Sequence, residues 1–322
     1  MTRSGGHVLV VVGDVIDDVV IRPLAPPAPG TDTPSEVRLT PGGSGANQAA
    51  WLGFLGASVR FASRAGAPDA SRHRVILESC GVDARIAADP ERRTGTIAIL
   101  VGPGGVRSMF SDRGASAFLD EGDLPTALLD GASRLHVSGY SLFSETSRHA
   151  VLRLMTGAAS AGVDVSVDPC SVAGLREVGA DAFLGWTKGA AVVFPNLDEG
   201  RFLSGRPSED PATVVDALLE YHGVVALTLG PAGVLVGSSA GERIRLEAPA
   251  VTVLDPTGAG DAFCAGFLAE LLDSALGIDG RLQRATEAGV AAAAQALVQL
   301  GGRPSETLTE KGNRANLTGP ED

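Results

Sequence analysis

The chain has 322 residues, 44% hydrophobic and 20% charged, which is enough apolar side chain to bury a large core in one α/β unit. Its formal net charge of −12 argues against nucleic acid or an anionic membrane surface as a partner, since both repel an acidic protein. Cys80, Cys170 and Cys264 are odd in number and widely spaced, which argues against a disulfide framework or zinc site and fits thiols in a reducing cytoplasm.

The N-terminal apolar run is too short to span a membrane and lacks a small-residue cleavage site, so Val8 to Val12 is predicted as a first strand. Its unbroken β-branched character suits a strand covered on both faces, as in a parallel sheet. A Pro-rich stretch from Arg22 to Pro34 cannot be core helix. A short strand over Glu36–Thr40 follows, then a helix over Ala46–Leu55, a strand over Ser58–Ser63 and a helix over Ser71–Cys80. Residues 94–101 and 105–110 read as a hairpin around Gly102-Pro103-Gly104. Short apolar strands at Leu135–Val137, Val163–Val167, Ala191–Phe194 and Val224–Leu229 alternate with helical segments such as Ser147–Ala161 and Ala212–Tyr221. That alternation predicts one doubly wound, mostly parallel α/β domain spanning 1–322. The stretches at about 15–41 and 94–112 break the alternation and are expected to form a small β lid. Residues 303–322 are expected to form a partly loose tail.

Two glycine-rich segments carry chemistry. In Gly42-Gly43-Ser44-Gly45-Ala46-Asn47-Gln48-Ala49, glycines permit close backbone approach and Asn47 can donate to and accept from a polyhydroxylated ligand. A tight turn before a core helix explains the same residues. A dinucleotide fingerprint does not, because the spacing is not G-x-G-x-x-G. The second segment, Asp255-Pro256-Thr257-Gly258-Ala259-Gly260-Asp261, lies between an expected strand at Ala250–Leu254 and an apolar helix at Ala262–Leu272. Gly258, Ala259 and Gly260 can aim N–H groups at one spot at a helix N-terminus, an anion hole of the kind phosphoryl transfer needs. Asp261, one residue on, is placed to take a proton from an attacking hydroxyl. The alternative for Asp261 is an acid that merely complements the helix dipole.

Together these segments resemble the two signatures of the ribokinase-like (PfkB) carbohydrate kinases. Between them, Pro195-Asn196-Leu197-Asp198-Glu199 resembles that family's Asn-x-x-Glu motif, and Thr228-Leu229-Gly230-Pro231-Ala232-Gly233 its nucleotide loop. The resemblance implies ATP-dependent phosphotransfer to a hydroxymethyl group of a small sugar, with Asp261 as base and Gly258, Ala259 and Gly260 as anion hole. It implies Asp18, Gly42, Gly43 and Asn47 around the sugar, Asn196, Thr228, Gly230 and Gly233 around ATP, and Glu199 near magnesium through water. It further implies a monovalent cation, potassium, near Asp255, Thr257 and Ser305.

Departures from the family pattern leave the sugar open. Asp168-Pro169-Cys170-Ser171 lacks the Asn and Arg of the Asp-x-Asn-x-Arg found in many fructokinase-like members, and Ile16 stands where ribokinases often place a polar group. Arg107 and Arg113, near the expected lid, could meet an anionic sugar or phosphates, or lie exposed. The exposed edge expected at Thr96–Val101 suggests a homodimer paired through the lid. A nucleoside kinase of adenosine or pseudouridine type on the same fold is the nearest alternative, and a non-catalytic sugar sensor is the alternative from another class.

Overall fold

The computed structural model describes residues 7–102, 107–272 and 281–304. In chain order the strands are β1 (Val8–Val12), β2 (Ile16–Pro23), β3 (Ser35–Gly42), β4 (Val59–Gly66), β5 (Val82–Asp89), β6 (Thr94–Val101), β7 (Arg107–Gly114), β8 (Ala132–Ser138), β9 (Asp164–Asp168), β10 (Val192–Val193), β11 (Val224–Thr228), β12 (Val234–Ser238) and β13 (Arg243–Leu246). The helices are α1 (Ser44–Phe54), α2 (Ala67–Ser79), α3 (Tyr140–Phe143), α4 (Glu145–Ser160), α5 (Val172–Val178), α6 (Ala180–Thr187), α7 (Leu197–Leu203), α8 (Pro211–Leu218), α9 (Ala259–Leu272) and α10 (Leu282–Leu297).

Nine strands form the large sheet, in the order β13-β12-β11-β10-β9-β8-β1-β4-β5. From β11 to β5 every pairing is parallel, while β12 and β13 add an antiparallel edge. Such a sheet must be covered on both faces, and β1 shows how. Leu9 and Val11 enter the core beneath α1, α2, α9 and α10, whereas Val10 and Val12 enter the opposite core beneath α4, α6 and α8. With few aromatics available, both cores are largely Val, Leu, Ile and Ala. Phe194, Phe263 and Phe267 form an edge-to-face group in the first of them.

The chain runs from β1 outward to β4 and β5, then returns to build β8 to β11 on the other side of β1. The strand order therefore reverses between β1 and β8, and a doubly wound sheet opens a crevice beyond its strand C-termini at such a point. Asp14 follows β1, Tyr140 follows β8, Asp168 ends β9, Asn196 follows β10 and Thr228 ends β11. All five line that crevice.

A second, four-stranded sheet in the order β3-β2-β6-β7 roofs the crevice. It is the small sheet expected at about 15–41 and 94–112. Its register places Ile97 and Ile99 of β6 on the inner side, lining the cleft together with Met109. Several sequence-based expectations change. β6 is paired on both sides, with β2 and β7, so Thr96–Val101 is no edge; the edges are β3 and β7. Ala250–Leu254 forms no strand, and Val253 and Leu254 are exposed. Arg303 is buried rather than the start of a loose tail. The turn at 103–106 and the tail from 305 onward, including Ser305, lie outside the described residues.

Candidate active site

The cleft under the small sheet encloses about 500 Å³ and is lined by Asp18, Gly43, Asn47, Asn196, Glu199, Thr228, Thr257, Gly258, Gly260 and Asp261. Residues far apart in sequence thus meet in one cavity. Gly42 sits at its edge: a Cβ there would meet the Asp18 carboxylate at 2.2 Å. Gly230 and Gly233 do not line the cleft. Gly233 has φ 86°, and a Cβ on it would strike the Leu246 carbonyl at 2.0 Å, so its glycine serves the turn into β12.

Asp261 lies in the first turn of α9, where a helix has no internal acceptors for its N–H groups. Gly258, just before it, has φ 76°, and a Cβ would come within 2.5 Å of Gly302 Cα. This close approach fixes the loop against the C-terminal segment and requires glycine. The Asp261 carboxylate accepts from Ser44 Oγ at 2.6 Å and from Asn47 Nδ2 at 2.9 Å, both on α1. Packing of α1 against α9 therefore brings the two glycine signatures to one carboxylate. Burial, opposed by those hydrogen bonds but aided by the charge of Asp168, pushes the Asp261 pKa up to about 7. Ser44 was not singled out as a site residue; the signal was its place inside the first signature.

Asp18 projects from β2 and is 7% exposed. Burial and the nearby Asp14 charge raise its pKa to about 7, with Arg303 acting in the opposite direction. Asp14 itself is 3% exposed. It accepts from Gly45 N at 3.1 Å and from Arg113 Nη1 at 2.9 Å. The Arg113 guanidinium also stacks 3.3 Å from the Tyr140 ring centroid, a cation–π contact. Arg107 is likewise engaged, donating from Nη2 to Asp255 Oδ1 at 2.5 Å and from Nη1 to Thr257 Oγ1. Neither lid arginine is an unpaired surface residue.

Asn196 and Glu199 form a reciprocal cap on α7: Glu199 N donates to Asn196 Oδ1 at 2.9 Å and Asn196 N to Glu199 Oε2 at 3.0 Å. Burial raises the pKa of Glu199 and of Asp168, the latter also through the Glu199 charge. Two buried carboxylates facing one cleft suit a divalent cation. Among the described residues no group of three or more acidic, His or Cys side chains could hold a metal alone. That donor set fits magnesium, which keeps several waters and relies on one or two carboxylates plus substrate phosphates.

Behind the cleft a buried chain was not foreseen. His136 Nε2 hydrogen-bonds to Gln48 Oε1 at 3.1 Å, and Gln48 Nε2 donates to Asp168 Oδ2 at 2.7 Å. Burial lowers the His136 pKa to about 3, so the ring is neutral. Cys170, at φ 65°, lines the cleft with its Sγ 3.4 Å from Ser138 Oγ. Burial raises the Cys170 and Cys264 thiols well above their usual range, which makes both inert. Gly289–Ala296 of α10 packs tightly on α9: a Cβ on Gly289 would meet the Phe263 ring at 2.8 Å.

Comparison with known proteins agrees with this architecture. Residues 7–308 match the pfkB family carbohydrate kinase model. The fructokinase of Escherichia coli is 32% identical over 287 residues, covering 85% of this chain and 87% of that one. The adenosine kinase of Sinorhizobium meliloti superposes with a TM-score of 0.83 at 21% identity, covering 97% of this chain and all of the other. A putative ribokinase II from Escherichia coli, in complex with ATP and magnesium, superposes with a TM-score of 0.78 at 23% identity, covering 96% of this chain and 99% of the other. No described helix is long and apolar enough to cross a membrane. From a family match over almost its whole length, the chain belongs to the pfkB family of carbohydrate kinases.

Proposed function

We propose that this sugar kinase phosphorylates a hydroxymethyl group of an uncharged small sugar of ribose or ketose type, with ATP as donor and Asp261 as base. The observation that carries this reading is the Asp261 carboxylate, oriented by Ser44 and Asn47 and adjoining the N-terminal turn of α9. A base needs an ionised carboxylate with a pKa near the working pH, and burial supplies that. Gly258, Ala259 and Gly260 offer N–H groups where negative charge develops. Asp18 and Asn47 are the groups that would grip sugar hydroxyls. Asn196 and Thr228 border the nucleotide side. Glu199 would hold magnesium through water, and the ion would supply charge neutralisation at the phosphates. Ile97, Ile99 and Met109 on the inner face of the lid exclude water, which would otherwise compete as acceptor.

The acidic lining favours a neutral acceptor. Asp14, Asp18, Asp168 and Asp261 all face the cleft, and the arginines lining it are already paired. A nucleoside kinase would need an aromatic face for the base; of the aromatic rings lining the cleft, Tyr140 is covered by Arg113 and Phe194 is 3% exposed, packed edge-to-face with Phe263 and Phe267. The test is ADP release from magnesium-ATP over ribose, fructose, tagatose, ketodeoxygluconate, inositol, adenosine and pseudouridine. Turnover on a neutral sugar supports this assignment. Turnover on adenosine alone would favour the nucleoside kinase, and tight sugar binding without turnover the sensor.

The same reading includes a homodimer. Val37 and Leu39 of β3 and Phe110 of β7 are 59%, 76% and 64% exposed, and the register sets them on the face of the lid turned away from the cleft. Face-to-face packing of two lids would bury this apolar sheet, replacing the edge pairing expected from sequence. A monomer by light scattering at micromolar concentration would rule it out.

A further inference from the structure

The first signature's partner loop, Asp255 to Gly260, was expected to hold a monovalent cation at Asp255, Thr257 and Ser305. Ser305 lies outside the described residues. The other two do not fit such an ion, because their oxygens already face protein donors. Asp255 Oδ1 accepts from Thr257 N at 2.8 Å and from Arg107 Nη2 at 2.5 Å, and Asp255 Oδ2 accepts from Gly301 N at 3.1 Å. Thr257 Oγ1 accepts from Arg107 Nη1. An alkali cation held by those side-chain oxygens would compete with these donors and stand against a guanidinium of like charge.

Arg107 reaches these atoms from the other layer of the molecule. It opens β7, pairs in register with Val101, and belongs to the lid, whereas Asp255 and Thr257 belong to the loop before α9. Its side chain is 19% exposed and that of Asp255 15%, so the pair is shielded from solvent screening and its charge acts locally. Arg107 and Thr257 line both the catalytic cleft and a second cleft of about 510 Å³ that runs past Val253, Leu254 and Leu300. The ion pair therefore stands at the boundary between them, next to the glycines of the anion hole.

We propose that Arg107 is a tethered monovalent cation: its guanidinium, delivered by the lid, supplies to Asp255 and Thr257 the positive charge that potassium would otherwise supply, so that this kinase works without an alkali cation and orders its anion-hole loop only with the lid in place. This rests on the kinase assignment for its kinetic consequence, but not for its binding consequence. Arg107 is a positioning residue, acting on the phosphoryl group through the loop. Because the lid also covers the acceptor, loop ordering and sugar enclosure occur together, and ATP meets a complete anion hole only when the acceptor site is closed.

The experiment compares the native enzyme, Arg107→Gln and Arg107→Lys in choline chloride and in potassium chloride at equal ionic strength, alongside direct thallium(I) binding by 205Tl NMR. The native enzyme is expected to show the same kcat and ATP KM in both salts and no saturable thallium site. Arg107→Gln is expected to lose about tenfold or more in kcat in choline chloride, to recover part of it in potassium chloride, and to bind thallium. Arg107→Lys should keep cation independence, because it retains the charge. Saturable activation of the native enzyme by potassium would overturn the proposal, as would an Arg107→Gln variant indifferent to both salts and without thallium binding. If no acceptor supports turnover, the kinase reading is what fails, and the thallium comparison of native and variant proteins still decides the role of Arg107.

Discussion

Arg303 Nε donates to Asn47 Oδ1 across 3.4 Å, and this contact fixes which way the Asn47 amide faces. With its oxygen turned to the guanidinium, the amide presents Nδ2 to Asp261 Oδ2 at 2.9 Å. The same guanidinium donates from Nη2 to the Gly42 carbonyl at 2.8 Å. Arg303 thereby ties Gly42 and Asn47 together and, through Asn47, reaches the Asp261 carboxylate. Arg303→Met keeps the apolar stem but leaves two buried acceptors without a donor and removes a positive charge near Asp18. We expect a stability loss of about 2–4 kcal/mol in urea unfolding and a lower kcat/KM. Unchanged stability together with unchanged kinetics would remove Arg303 from this role.

Asp261→Asn keeps the shape of the side chain and removes its basicity. General-base loss predicts a fall in kcat of about 10²–10⁴, with ATP affinity by calorimetry unchanged because the N–H groups of the loop stay in place. A variant that keeps native turnover would show that phosphoryl transfer needs no base here.

With Asp261 as the proposed base, its ionised form would be the reactive one, and burial raises its pKa to about 7. Asp18 titrates in the same range, so the two produce one macroscopic limb. The prediction is a kcat/KM that rises with pH through about 7 rather than through the ordinary carboxylate range. A profile flat from about pH 5 to 9 would contradict it.

The same shifts act on stability with the opposite sense to an ion-paired carboxylate. Between the unfolded value near 3.8 and the folded value near 7, the folded state holds more protons at Asp18 and Asp261 than the unfolded chain does. Their contribution is therefore most favourable at low pH and declines as pH rises through about 7. Asp89 and Asp255, held down to about 2 by hydrogen bonds that outweigh burial, behave oppositely, and their contribution is lost only as the pH falls through their folded values. Across about pH 6.5 to 8 the raised carboxylates Asp18, Asp168, Glu199 and Asp261 change together, while His136 and His222, whose pKa values burial lowers, act the other way only below the unfolded value near 6.5, so the thermal midpoint of the ligand-free protein should fall over that interval. An Asp18→Asn, Asp261→Asn double variant should make that fall shallower, leaving the share of Asp168 and Glu199, and a native-like slope in that variant would refute the assignment.

What could be read from sequence was what lies close together in sequence. Gly258 to Asp261 and Gly42 to Asn47 are contiguous, and strand ends such as Asn196 and Thr228 follow apolar runs, so both the parallel sheet and most cleft residues were legible. Asp14 and Arg113 are 99 positions apart and Asn47 and Arg303 are 256 apart, and no local pattern joins them. Val251, Val253 and Leu254 look like a strand by composition, yet among the described residues no strand pairs with them, and Val253 and Leu254 border the second cleft. β5 lies in a stretch where no strand was expected, although its burial alternates along Val82, Ala84 and Ile86. The antiparallel strands β12 and β13 carry no signature residue and were missed for that reason.

Arg113 joins the lid to the catalytic layer through Asp14 and lies flat on Tyr140. Arg113→Ala would leave the Asp14 charge buried beside Asp18, with no cation to offset it. Breaking such a pair costs about 3–5 kcal/mol where burial is complete; Arg113 is 24% exposed on its side chain, so the loss should fall toward the lower end. Because the pair lines the cleft together with Asp18, on the side proposed for the acceptor, the acceptor KM is expected to rise by about 30-fold or more while kcat changes less. Lysine keeps the charge but has neither the planar stack nor the fork, so Arg113→Lys should restore only part of the affinity. Initial rates over acceptor concentration at saturating ATP separate the cases. A fall in kcat with acceptor KM unchanged would mean that Arg113 acts on the transition state rather than on sugar binding.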